Sequence, residues 1–271
     1  FVNEQRILAK LKHPNIATLL DVGVVDERAY MVLERIDGVP IDERISAERS
    51  GVDAVLAAIV QVAGALQLAH EHLVIHRDIK PDNVLVDVFG QIKLIDFGIA
   101  KDIHNDDARL ESTRTGMAPL TLRYASPEQL LGQPVGMASD IYQLGLLMYR
   151  LLCNAWPHDD DMAELPAMRM RADTLTELAS RRVTDPRIRR RLQGDLDSIL
   201  LRCLRFDPGQ RYRTVAELVD DINRHLQHQP VQARAQSRGY LLRSFVYRHR
   251  LGVAIAAALV LLMVLGTATA I

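Results

Sequence analysis

Cysteine is scarce in this 271-residue chain: Cys153 and Cys203 stand alone and far apart. Two thiols are too few for a disulfide scaffold or a Cys-rich zinc site, and they fit a reducing compartment. Net charge is nearly absent as well. The 33 Lys and Arg almost cancel the 34 Asp and Glu, leaving −1, which argues against a whole-chain nucleic-acid binder, expected to be basic. There is no internal repeat, no low-complexity tract and no H-E-x-x-H arrangement. His70, His72 and His76 cluster but read better as helix-end histidines than as metal ligands. The first residue is Phe1, not Met, so the expectation is that processing or truncation has removed something upstream. What the chain does have is 48% apolar and 25% charged residues, enough to bury a sizeable core and to exclude disorder for most of its length.

Long hydrophobic runs are also missing, with one exception. Leu251 to Ile271 holds no charged residue and only Thr267 and Thr269 as hydroxyls. As a helix it would measure roughly 31 Å, close to the hydrocarbon thickness of about 30 Å. Its position excludes a signal peptide. Arginines at 234, 238, 243, 248 and 250 precede it with no acidic residue between Pro230 and Arg250. Such a flank marks the cytoplasmic side and could also attract anionic headgroups. The expectation is a single-pass membrane protein with everything before Leu251 in the cytoplasm.

Along the rest of the chain, Ile7, Leu8 and Leu11 give a helical pattern over 2–12 that Pro14 stops. The apolar stretches Ile16–Val25 and Ala29–Ile36 predict an antiparallel strand pair. Asp37-Gly38-Val39-Pro40 breaks the pattern and reads as a hinge. Val52, Val55, Leu56, Ile59, Val62, Ala63 and Leu66 follow a 3.6 period and predict a long amphipathic helix. Val84–Val86 and Ile92–Ile95 read as short strands about a turn at Phe89-Gly90. The polar stretch 102–121 reads as a long loop, and loops of that length in a compact domain are usually functional. Helices are expected over 139–153, 196–204 and 215–226, with Pro208-Gly209 as punctuation.

Three short stretches carry chemistry together: His76-Arg77-Asp78-Ile79-Lys80-Pro81-Asp82-Asn83, Asp96-Phe97-Gly98 and Ser126-Pro127-Glu128. Taken singly, Asp78 reads as a turn aspartate and Asp96 as a strand-end cap. In this order, at loop positions between strands, the set resembles the eukaryotic-type protein kinases. The nearest pattern is a bacterial membrane-bound serine/threonine kinase. The resemblance covers roughly 2–226 and implies an α+β, protein-kinase-like fold. An incomplete small lobe (1–36) would precede a mainly helical large lobe (37–228), an Arg-rich juxtamembrane segment (229–250) and one transmembrane helix (251–271).

The resemblance also implies roles, with ATP and Mg²⁺ as cofactors. Asp78 would accept or orient the substrate hydroxyl proton, Lys80 would place a cation beside the transferred phosphoryl, and Asn83 and Asp96 would bind Mg²⁺. Leu33 would guard the adenine pocket, backbone groups of Glu34 and Ile36 would bind adenine, and Leu85 would pack beneath it. Glu4 resembles the ion-pairing carboxylate of the small-lobe helix. Leu8, Leu19, His76 and Phe97 resemble the stacked column that links the lobes. Arg77 resembles the arginine that pairs with a phosphate on the long loop, where Ser112, Thr113 and Thr115 are candidates. Thr121 would support the catalytic loop, Asp140 would cap its backbone, and Arg211 would pair with Glu128.

Two parts of the family pattern are not in the sequence: a G-x-G-x-x-G loop and a strand lysine to meet Glu4. Either the chain is a fragment of a complete kinase, weak or inactive alone, or it is a pseudokinase-like binding or scaffold module. Expected partners are proteins presenting Ser or Thr and membrane lipid along one span, with a homodimer left open and no nucleic acid. Lys80 and Ser126-Pro127-Glu128 favour a protein over a small-molecule acceptor.

Overall fold

In the computed structural model, residues 11–25, 28–97, 123–157, 176–235 and 239–240 are described. Glu4, Leu8, Gly98, Ser112, Thr113, Thr115, Thr121 and the run 251–271 lie outside the described residues.

Valines and Tyr30 favour extended backbone, and β1 (Leu19–Val25) pairs antiparallel with β2 (Arg28–Leu33). Gly23 faces Tyr30 across the ladder. A Cβ there would lie 2.6 Å from the Tyr30 hydroxyl, so the aromatic ring folds over the glycine.

The break expected at Asp37–Pro40 is corrected by the structure. Gly38–Pro40 forms β3, an edge strand on β4 (Val84–Asp87), which in turn pairs with β5 (Ile92–Leu94). Turn-forming residues serve as a strand here for steric reasons. A Cβ on Gly38 would sit 2.5 Å from the Val86 carbonyl oxygen, so only glycine permits the approach. Pro40 ends an edge strand, where a missing N–H is tolerated. The β4–β5 turn passes through Gly90 at φ 81°.

The segment before β1 ties the hairpin to this sheet. Ile16 forms a parallel bridge with Leu94, and Ala17 N–H donates to Leu94 O at 2.9 Å. Asn15 Nδ2 donates to Ile92 O at 2.8 Å.

Helix α1 (Ile41–Ala47) leads to α2 (Val52–Glu71), whose Leu56, Ile59, Val62, Ala63 and Leu66 are fully buried. By length and hydropathy α2 could cross a membrane, but 56% of its apolar window is buried inside the protein. It is the central core helix, and α4 (Met137–Cys153) and α8 (Val215–Leu226) pack against it. Helix α3 (Pro127–Leu130) precedes α4, and α5 (Ala179–Arg182), α6 (Pro186–Leu192) and α7 (Asp195–Cys203) lie between α4 and α8. Helices α4 and α7 begin at Met137 and Asp195, slightly before the expected 139 and 196. Ser139 Oγ accepts from Gly136 N–H, and Asp197 Oδ2 accepts from Gly194 N–H. Such reach-back bonds satisfy donors that a helix start leaves open. The two helices touch at Gly145, where a Cβ would lie 2.5 Å from Cys203 Cβ.

Candidate active site

The site forms where the loop after α2 crosses the start of α4. Asp140, in the first turn of α4, is fully buried. A buried carboxylate requires donors, and Asp140 has three. Its Oδ2 accepts from His76 N–H at 2.9 Å and bonds His70 Nε2 at 2.7 Å, while Oδ1 accepts from Arg77 N–H at 2.8 Å. These bonds bend the loop sharply enough to place Arg77 at φ 66°. The carbonyl of Arg77 accepts from Gln129 Nε2 (2.8 Å) and Gln143 Nε2 (3.1 Å). Ile79 N–H donates to Gln143 Oε1 at 3.0 Å. The loop backbone is thereby fixed on both sides of Asp78.

Asp78 itself is shared between two neighbours. Its Oδ2 accepts from Asn83 Nδ2 at 3.0 Å and pairs with Lys80 Nζ at 3.1 Å. Asn83 Nδ2 also donates to the Asp78 carbonyl at 2.8 Å. Asn83 sits in a 3₁₀ turn, Pro81–Asn83, that ends where β4 begins. Its carbonyl accepts from Ile95 N–H at 2.9 Å, which brings the following Asp96 alongside.

His76 links the two strings. Its ring is fully buried, lies 4.7 Å from the Phe97 ring and bonds Ile95 O through Nε2 at 3.0 Å. Nδ1 accepts from Asp78 N–H at 3.3 Å, so Nε2 carries the proton. Burial lowers the His76 pKa below its usual value, against the pull of Asp140, the Ile95 carbonyl, Asp78 and Asp96. Asp78 and Asp96 both lie within electrostatic reach of the ring.

Asp96 stands at φ 54°, a strained region for a non-glycine residue. It is exposed at the rim of an apolar cavity lined by Leu19, Met31, Leu33, Leu94 and Phe97, among others. Leu33 and Leu19 therefore meet Asp96 and Phe97 there, whereas Glu34, Ile36 and Leu85 do not line it. Leu85 is half-buried in β4 opposite Pro40. The Glu34 side chain turns to Lys93 Nζ (2.7 Å) and to Thr18 N–H (3.0 Å). The Lys93 bond holds its carboxyl below the usual range despite partial burial.

Below the loop, Glu128 and the fully buried Arg211 form a bidentate pair, Oε1–Nη1 at 2.8 Å and Oε2–Nη2 at 2.9 Å. Arg211 also donates to the carbonyls of Ala138, Arg205 and Phe206. Burial pushes the Glu128 carboxyl up, but the Arg211 bonds and charge and the Ser139 hydroxyl outweigh it, and its pKa lies below the usual value.

Three positioning side chains were not foreseen from the sequence: Gln129, Gln143 and His70 as a bonding partner of Asp140. Gln129 stands three residues after Ser126, the spacing of a helix-capping box. Its Oε1 does accept from Ser126 N–H at 2.9 Å while its amide nitrogen reaches Arg77. Capping explains the spacing completely and hides the second contact.

The family pattern described as protein kinase domain matches residues 1–226. The chain is 31% identical over 223 residues to the probable serine/threonine-protein kinase PknB of Lactococcus lactis, covering 82% of this chain and 34% of that protein. It is 32% identical over 224 residues to the serine/threonine-protein kinase PrkC of Bacillus subtilis, covering 82% of this chain and 33% of that one. The chain thus spans about a third of the length of these relatives. Among solved structures, the crystal structure of the Mycobacterium tuberculosis PknI kinase domain superimposes with a TM-score of 0.57 at 28% identity, covering 83% of this chain and 77% of that one.

Proposed function

The chain belongs to the protein kinase domain family, and on that premise we propose that it transfers the γ-phosphoryl group of ATP to serine or threonine hydroxyls of protein substrates. The observation that carries this reading is the Asp78 carboxylate held by Asn83 Nδ2 and Lys80 Nζ on a loop fastened to the buried Asp140. Asp78 orients the acceptor hydroxyl and takes its proton. Lys80, paired with Asp78, neutralises charge on the transferred group. Asn83, with its Nδ2 engaged by Asp78, has Oδ1 as a hard oxygen donor, and Asp96 adds a carboxylate.

This donor set fits Mg²⁺, which takes one or two protein oxygens and completes its shell with water and phosphate. Among the described residues no three His, Cys, Asp or Glu side chains gather into a metal site, in keeping with a metal held largely by its nucleotide. Bound there, Mg²⁺ supplies charge neutralisation of the phosphate oxygens. Leu33, the backbone of Glu34 and Ile36, and Leu85 receive adenine. Glu4 serves as the small-lobe ion-pairing carboxylate, Thr121 supports the loop, and Leu8 extends the Leu19–His76–Phe97 column. The arginine side chain of Arg77 receives a phosphorylated loop residue.

In this reading residues 1–36 are a small-lobe portion, 37–228 the large lobe, 229–250 an Arg-rich juxtamembrane segment and 251–271 a membrane span, with the kinase body cytoplasmic. Carbonate extraction of membranes tests the span: the chain stays in the pellet if the span is real and is released if it is not. The 271 residues hold no G-x-G-x-x-G and no strand lysine for Glu4, so this chain by itself transfers phosphate slowly, because misplaced phosphates cost rate steeply. That same feature favours a second reading, a binding or scaffold module. Assay of the full-length protein on a generic protein acceptor separates them. Phosphoserine or phosphothreonine that disappears in Asp78→Asn supports the kinase, and no phosphate transfer from either protein supports the scaffold.

A further inference from the structure

The stretch from Glu177 to Arg191 carries six arginines, at 181, 182, 187, 189, 190 and 191, against two carboxylates, Glu177 and Asp185. Most of this charge faces outward. Arg181, Arg187, Arg189, Arg190 and Arg191 are exposed, while Leu192 is fully buried and Ile188 half-buried. Helix α6 is therefore anchored by its apolar side and presents guanidinium groups on the other. Some of them are engaged: Arg182 pairs with Glu177, Arg191 with Asp53, and Arg189 donates twice to the Val183 carbonyl. Asp185 caps α6 by accepting from Arg187 N–H. The side chains of Arg181, Arg187 and Arg190 have no ion-pair partner among the described residues. An isolated helix stabilised by its own charge pattern would not be built this way, since like charges on one face repel.

This face adjoins the point at which the chain leaves the large lobe. Arg181, Arg189, Gly194, Ser198 and Arg234 line one cleft between α5, α6 and α7. Arg234 is held there by Asp195 Oδ1 at 2.8 Å and lies 4.5 Å from the centre of the Tyr240 ring. The Tyr240 hydroxyl accepts from Val231 N–H at 2.9 Å. The fully buried Asp221 accepts from Gln232 N–H and Ala233 N–H at 2.6 and 2.8 Å. Residues 231–234 and Tyr240 are thus fastened to the lobe beside the arginine face. From Tyr240 to Leu251 the chain can reach at most about 40 Å even when fully extended. No acidic residue follows Asp221, and Arg243, Arg248 and Arg250 continue the positive charge toward the apolar run.

We propose that the arginine face of α6 lies against the anionic headgroups of the bilayer that holds residues 251–271. The large lobe then rests on the membrane in one orientation and does not swing freely on its linker. Charge complementarity selects this occupant, because cytoplasmic leaflets carry anionic lipid. The short tether matters equally, because the attraction decays over a Debye length of about 10 Å at 0.1 M salt. The inference rests on the proposed membrane span.

The test uses the full chain reconstituted in lipid nanodiscs, either of phosphatidylcholine alone or with about 30% phosphatidylserine to mimic an anionic leaflet. Hydrogen–deuterium exchange is read on peptides covering 181–192. The expected result is slower exchange in the phosphatidylserine discs. The difference should be lost in the double variant Arg187→Glu/Arg190→Glu, and lost in about 1 M salt, where the Debye length shrinks to about 3 Å. Exchange over 181–192 that is independent of lipid composition, in a chain that resists carbonate extraction, overturns the inference and leaves the span intact. Release by carbonate is failure of the span. The same chain is then mixed with phosphatidylserine vesicles, where slowing over 181–192 supports the lipid-binding face and its absence overturns it. Slowing that appears only on addition of an acidic peptide would assign the face to a protein partner and likewise overturn it.

Discussion

The helical body and the β1–β2 hairpin differ in where they keep their polar groups. In the body, Asp140, His76, Gln143, Glu128, Arg211 and Asp221 are all essentially buried, and each has its partners. In the hairpin, apolar side chains face outward: Leu20, Val24 and Val25 are each about 60% exposed, and Val32 is 43% exposed. The hairpin is joined to the body through the Ile16–Leu94 bridge and the Glu34–Lys93 pair. A two-stranded ribbon is marginal in water by itself. The difference teaches that the loop carrying Asp78 owes its shape to a closed polar network, while the hairpin contributes a wall and little rigidity.

The largest expected effect belongs to Asp78. In the full-length protein, Asp78→Asn should lower turnover about 10²–10⁴-fold, the usual range for a positioned proton acceptor, with the denaturation midpoint unchanged. Near-normal turnover would remove Asp78 from that role. Next comes Arg211→Ala, which strands the buried Glu128 carboxylate and should cost about 3–5 kcal/mol, read from urea unfolding. A loss below about 1 kcal/mol, the range of surface pairs, would mean the body does not depend on its buried network. Asp140→Ala orphans the buried N–H of His76 and should cost about 1–3 kcal/mol per unsatisfied group. It should also lower turnover, because the loop then loses its anchor. By contrast, Leu20→Ser or Val24→Thr on the hairpin should change stability by less than about 0.5 kcal/mol. A larger loss would show that another part of the protein covers that face.

A pH series sharpens the same contrast. The Glu128 pKa is lowered on folding, so its contribution to stability is complete above the ordinary glutamate value. It is lost as pH falls from that value through the lowered one. Urea midpoints should therefore fall on acidification in the wild type, with a shallower acid limb in Glu128→Gln. An unchanged limb in that variant would transfer the acid sensitivity to other carboxylates.

Much of this organisation was legible in the sequence. The 3.6 period of Val52 to Leu66 fixes the core helix, and alternating valines and a turn at Gly90 fix the β4–β5 pair. The linear motifs give Asp78 and Asn83, which lie five residues apart in one loop, and Asp96, which follows β5. Gly38–Pro40 was misread because propensity describes isolated backbone, while a close approach to the Val86 carbonyl is a tertiary fact. Gln129, Gln143 and His70 were invisible for a related reason. Amide and imidazole side chains on helices have no pattern of their own, and only folding brings them to Arg77 and Asp140. The short helices α5 and α6 are too brief for periodicity to register.

The central claim is that Asp78, Asn83 and Asp96 converge on a nucleotide-bound Mg²⁺. Calorimetric titration of the full-length protein with a non-hydrolysable ATP analogue, with and without Mg²⁺, tests it most directly. The expected result is binding that Mg²⁺ strengthens in the wild type and no longer strengthens in Asp96→Asn. Equal affinity with and without metal, or a metal effect that survives Asp96→Asn unchanged, would contradict it.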